Sequence, residues 1–99
     1  MLIKEPSDRP GFLRVTFRFP SVIWAESVHL VGDFNHWDRA RHPLARHNGG
    51  EYWEIQLELP VGQSFAYRYL VNNDTWCNDC NADAYVPDPY GTFNSVVQT

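Results

Sequence analysis

Ninety-nine residues suffice for one domain with a single core and leave little room for a second. A formal charge of −4, a pI near 5.4 and one lysine beside seven dispersed arginines exclude the phosphate-neutralising surface that nucleic-acid binding needs. No apolar stretch reaches membrane-spanning length and no signal-peptide pattern opens the chain, so the expected location is the cytoplasm, with no membrane partner.

Residues 1–10 are polar, carry two prolines and read as a loose lead-in to a domain over 11–99. From Gly11 the pattern turns two-periodic: Leu13, Val15, Phe17 and Phe19 alternate with Arg14, Thr16 and Arg18. That is a half-buried strand, closed by Pro20, which cannot donate to a ladder. Residues 22–25 add a short extended piece around Trp24, which we assign, with Trp53, to the core.

Residues 27–31 form the next strand, with Val28 and Leu30 on one face and His29 and Val31 on the other. It breaks at Gly32, read as a residue needed for its backbone freedom. Asp33 and Asn35 are suited to holding the following loop through their own backbone, and the loop ends in Trp37. From spacing alone Trp37 is either a core plug or an exposed binding platform.

Asn48-Gly49-Gly50 signals a turn, and residues 52–59 alternate again, with Trp53, Ile55, Leu57 and Leu59 on one face. After Pro60-Val61-Gly62, Phe65, Tyr67, Tyr69 and Val71 line one face of a further strand, leaving Ala66, Arg68 and Leu70 on the other. Asn72-Asn73-Asp74 is a tight turn whose residues tolerate the left-handed region. Residues 75–90, rich in Asn, Asp and Pro, read as a long loop carrying Trp76, and residues 91–98 as a last strand. No window holds helical spacing for three turns. Six or seven short strands between turn signals predict an all-β antiparallel sandwich.

The chemistry argues for binding over catalysis. No serine sits in a nucleophile elbow, and Asp33, Asp38, Asp79 and Asp83 are loop carboxylates of the turn-forming kind. Cys77 and Cys80 make the only C-x-x-C spacing; with no second pair they do not make a structural zinc site, and neither metal nor cofactor is expected. Aromatic residues are 15% of the chain, with four Trp and five Tyr, more than packing alone requires. Trp37, Trp76, Arg68, Thr92 and Asn94 together suit a sugar: a pyranose packs its C–H face on an aromatic ring while its hydroxyls seek polar partners. Trp76, like Trp37, is either plug or platform by spacing. Each polar residue alone is ordinary; only the combination is informative.

The runs Val28-His29-Leu30-Val31-Gly32-Asp33-Phe34-Asn35-His36-Trp37, Pro43-Leu44, Tyr52-Trp53-Glu54-Ile55, Tyr67-Arg68-Tyr69-Leu70-Val71, Trp76 and Gly91-Thr92-Phe93-Asn94-Ser95-Val96-Val97 occur in the order of a known family. Over residues 11 to 99 the chain resembles the glycogen-binding domain of AMP-activated protein kinase beta subunits, a family 48 carbohydrate-binding module, also found at the N-termini of isoamylases and branching enzymes. The resemblance implies an immunoglobulin-like sandwich that binds α-1,4-linked glucans (glycogen, starch, maltooligosaccharides) without hydrolysing them, for targeting or sensing. By position it assigns the two sugar-cradling tryptophans to Trp37 and Trp76 and the hydroxyl-binding pair to Thr92 and Asn94. Arg68 stands where lysine is usual, Tyr90 where an aliphatic residue projects into the sugar curve, and the turn 72–75 is one residue longer than the usual pattern. The rival reading is a docking module for a kinase or an amylolytic enzyme.

Overall fold

The computed structural model describes residues 1–22, 24–47 and 49–99; Ile23, in the expected extended piece 22–25, and Asn48, first in the expected 48–50 turn, lie outside the described residues. Among the described residues nine strands run in chain order: β1 (Leu2–Pro6), β2 (Phe12–Pro20), β3 (Val28–Gly32), β4 (Ala45–Arg46), β5 (Tyr52–Pro60), β6 (Ser64–Val71), β7 (Thr75–Cys77), β8 (Ala84–Pro87) and β9 (Phe93–Gln98). They make two antiparallel sheets, one ordered β1-β2-β5-β4 and the other β3-β6-β9-β8, packed as an immunoglobulin-like sandwich. One edge of β6 is shared: its first half pairs with β9 and its last three residues with β7.

The alternating patterns supply the inner faces. In the first sheet Phe19 faces Trp53, Phe17 faces Ile55, Val15 faces Leu57 and Leu13 faces Leu59 across the β2–β5 ladder. The second sheet answers with Val28, Leu30, Tyr67, Tyr69, Val71 and Val97, all buried. Trp53 is in this core as expected. The Phe17 and Tyr67 rings meet edge-on at 5.1 Å and the Tyr67 and Tyr69 rings at 5.9 Å, the offset geometry that ring quadrupoles favour. Asp79 is buried beside them and accepts from the Tyr67 hydroxyl at 2.8 Å and from that of Tyr69 at 3.3 Å. Burial above all, with the Asp79 carboxylate adding to it, pushes both phenol pKa values well up.

Four expectations need correction. The lead-in 1–10 contains strand β1, which pairs with β2 from Leu2 opposite Phe17 to Pro6 opposite Leu13. The loop 75–90 contains β7 and β8, both short and set by their partners rather than by any alternation of their own. Trp24 is not in the core: it is 51% exposed. The Asn72 side chain pins the backbone there, donating to the Trp24 carbonyl and accepting from the Glu26 and Ser27 amides, and the indole is left outside. Gly32 is extended, at φ −172°, a conformation open to any residue. What demands glycine there is space, since a Cβ would lie 2.5 Å from the Ala66 carbonyl oxygen.

The turn after β6 behaves as its sequence predicts, with Asn72 and Asn73 both at positive φ. Among the described residues no helix is long and apolar enough to cross a membrane.

Candidate functional site

The loop after β3 separates inside from outside within four residues. Gly32 leads into a single 3-10 turn, Asp33–Asn35, whose Phe34 ring faces inward, 5.6 Å from Phe17 and 6.0 Å from Phe65. Asn35 is buried and closes the turn: its Oδ1 accepts from the Gly32 amide at 3.0 Å and its Nδ2 donates to the Leu30 carbonyl at 2.9 Å. His36 and Trp37 follow, both left-handed at φ 57°. Phe34 therefore takes the place of the plug, and Trp37 lies half-buried at the rim.

Trp37 is held there by Asp33. Its indole Nε1 donates to Asp33 Oδ1 at 2.9 Å, while Asp33 Oδ2 accepts from the Ala66 amide on β6 at 2.8 Å. One carboxylate thus ties the tryptophan to the interior strand β6, just past the end of β3.

Strand parity places the remaining groups. Ala66, Arg68 and Leu70 point away from the core, and Trp76 on β7 lies opposite Leu70, so Trp76 shares the outer face with Arg68. Its ring is 38% exposed and is covered on one side by Arg39, whose guanidinium carbon lies 5.4 Å from the ring centroid. Asn94 precedes Ser95, which opposes Tyr67 on the core side, so Asn94 also belongs to the outer face. Arg68 and Asn94 meet there: Nε donates to Asn94 Oδ1 at 2.7 Å, and Nη2 donates to Thr92 Oγ1 at 2.6 Å.

The sequence-predicted residues thus fall into three groups. Arg68, Thr92 and Asn94 form one hydrogen-bonded cluster. Trp76 is on the same face, and Trp37 is fixed at the end of the neighbouring strand β3. Tyr90 stands apart, 91% exposed, with its backbone amide bonded to Asp88.

Sequence reasoning did not single out Asp88, which lies 2.6 Å from Arg68 Nη2 and accepts from the Thr92 amide and hydroxyl. These bonds, led by the Thr92 hydroxyl and with the Arg68 charge adding to them, hold its carboxyl down at about 2. The run Asp88-Pro89-Tyr90-Gly91-Thr92, an aspartate opening a proline–glycine turn, was the signal available. Asp33 was read as a loop former; its role as the anchor of Trp37 emerges only in three dimensions. Cys77 and Cys80 are free thiols, and burial pushes the Cys77 thiol up. Among the described residues no cluster of His, Cys, Asp and Glu is grouped to hold a metal ion.

The arrangement puts an aromatic ring, Trp76, and a hydrogen-bonded polar cluster on one sheet face. Residues 14–91 match the family described as Carbohydrate-binding module 48 (Isoamylase N-terminal domain). The chain is 34% identical over 95 residues, 90% of its length, to a 1,4-alpha-glucan branching enzyme of Rubrobacter xylanophilus. It is 41% identical over 76 residues, 72% of its length, to that of Thermosynechococcus vestitus, and 40% over 79 residues, 75% of its length, to that of Paramagnetospirillum magneticum. The matched stretches cover only 9 to 11% of those enzymes.

Proposed function

Because the chain belongs to the carbohydrate-binding module 48 family, we propose that it binds α-1,4-linked glucans such as glycogen, starch and maltooligosaccharides without cleaving them. The observation that carries this reading is the Arg68–Thr92–Asn94 cluster on the sheet face that also bears Trp76. Trp37 and Trp76 supply the rings for the apolar faces of successive glucose units, and the cluster meets their hydroxyls. Tyr90, exposed above the cluster's turn, adds a contact to the sugar chain. Such a module brings a glucan to a catalytic partner or reports its presence, and the similarity to 1,4-alpha-glucan branching enzymes supports a glucan-acting enzyme as that partner. Affinity is modest, since an open face buries little of its ligand.

Retention on glycogen and titration with maltoheptaose test this. Trp37→Ala and Trp76→Ala should each lose most of the retention of the wild type; unchanged retention in both overturns the reading.

A second reading, docking of a kinase or amylolytic enzyme with little sugar binding, draws support from one feature. Tyr85, Val86 and Phe93 are exposed on β8 and β9, and Asn78, Tyr85 and Phe93 line a shallow concavity of about 380 Å³. Intrinsic tryptophan fluorescence separates the two: a glucan binder responds to maltoheptaose, and a pure docking module does not.

A further inference from the structure

Among the described residues four hydrogen bonds fix the Arg68 guanidinium, carried by two of its three nitrogens. Nε donates to Asn94 Oδ1 at 2.7 Å; Nη2 donates to Asp88 Oδ2, Thr92 Oγ1 and the Phe93 carbonyl, each at 2.6 Å. Nη1 takes part in none of these bonds. Asp88 is the centre of the arrangement. Its Oδ1 accepts from the Tyr90 amide at 2.8 Å and the Thr92 amide at 2.9 Å, closing the turn. Its Oδ2 takes Arg68 Nη2 and the Thr92 hydroxyl. The ion pair is partly shielded, with 17% of the Arg68 side chain and 10% of the Asp88 side chain exposed.

An unrestrained arginine presents five donors in a rigid fork and can meet a ligand in several geometries. Holding a group in its bound geometry removes part of the ordering cost of binding. We propose that Asp88 is a positioning residue of the glucan site: with Thr92 and the Phe93 carbonyl it occupies Nη2, as Asn94 occupies Nε, and so leaves the two N–H groups of Nη1 as the donors that meet glucan hydroxyls. Arg68 so held presents one nitrogen to the ligand, as a lysine would, and the same carboxylate fixes the backbone that presents Tyr90. This inference rests on the glucan-binding reading given above.

Side-chain ¹⁵N spectra of the whole chain provide the test, with maltoheptaose as the probe. In the free protein Arg68 gives separate Nη1 and Nη2 signals, because rotation of the guanidinium is blocked. Saturating maltoheptaose moves Nη1 and leaves Nη2 in place. Asp88→Asn keeps an acceptor for the Tyr90 and Thr92 amides but loses the charge; it speeds exchange between the two signals, Thr92, Asn94 and the Phe93 carbonyl alone being left to hold the guanidinium, and weakens binding by about tenfold, the loss of one charge-assisted contact. Arg68→Lys added to Asp88→Asn recovers most of that loss, because an ammonium has no fork to restrain. A merely structural role for Asp88 gives no such recovery. The inference is overturned if Nη1 stays put while the Trp37 and Trp76 indole signals shift, if Asp88→Asn binds like the wild type, or if lysine restores nothing. If no indole signal shifts, the glucan reading itself fails and this inference falls with it.

Discussion

Asn35 donates its side-chain Nδ2 to His42 Nδ1 over 2.8 Å, joining the loop after β3 to the segment that returns along the same strand. The amide orientation is set independently, because Asn35 Oδ1 already accepts from the Gly32 backbone. His42 must therefore accept at Nδ1, which requires the neutral ring with its proton on Nε2. Its own backbone carbonyl accepts from Leu30 at 2.9 Å, so ring and chain are both committed to this edge.

The first prediction is a pH dependence of stability. Burial, with the Arg41 charge adding to it, holds the His42 pKa below its ordinary value of 6.5. The folded protein thus binds that proton less readily than the unfolded chain. The contribution is fully present above about pH 6.5 and is lost as pH falls from there through the lowered folded value. Thermal melts of the wild type should shift downward over this range. His42→Gln keeps an acceptor for the Asn35 amide but does not titrate, and its profile should be flatter; an unchanged slope would count against the assignment.

Gly32→Ala tests the space argument. Its Cβ would lie 2.5 Å from the Ala66 carbonyl oxygen and 2.8 Å from Tyr67 Cβ, groups that belong to β6 and cannot swing away. We expect a loss of about 1–3 kcal/mol in chemical denaturation, the usual cost of overpacking. A neutral result would mean that β3 and β6 separate more easily than their ladder suggests.

Asp33→Ala removes the tie between Trp37 Nε1 and the Ala66 amide. The fold should survive, because Phe34 and Asn35 still hold the loop. Maltoheptaose affinity should fall by about 3–10-fold, roughly 1 kcal/mol, as Trp37 loses its fixed orientation. Calorimetric titration reads the change, and equal affinity would mean that Trp37 needs no anchor.

Trp24 offers the opposite case. Its exposed side chain stands outside the core, so Trp24→Ala should change stability by no more than about 0.5 kcal/mol, and Trp53→Ala by about 3–5 kcal/mol. Denaturant midpoints for the pair decide it; equal losses would return Trp24 to the core.

These contrasts mark what was legible in the chain. Strict alternation reveals the inner faces of β2, β5 and β6, because the shared core takes one face of each and the side-chain period is two, although Thr16 and Leu70 are buried on the other face. Strands β1, β7 and β8 lack that signature: three to five residues long and largely exposed, they take their conformation from β2, β6 and β9. Of the site, Arg68, Thr92 and Asn94 were readable as a set, and the structure joins them. Asp88 was not, since an aspartate in a loop rich in Asn, Asp and Pro announces only a turn, and its bond to Arg68 spans 20 residues. Trp24 misled because an aromatic residue between two strands carries no parity of its own.

Phe34 and Trp37, three residues apart on one short turn, face opposite ways, one packed on Phe17 and the other fixed at the rim by Asp33. The turn cannot loosen without withdrawing an aromatic ring from the interior. Any ligand lying against Trp37 meets a surface that was ordered when the chain folded. The entropy lost on association then falls on the partner, whose flexible linkages must settle, and longer or more pre-curved partners gain the most from a surface that does not yield.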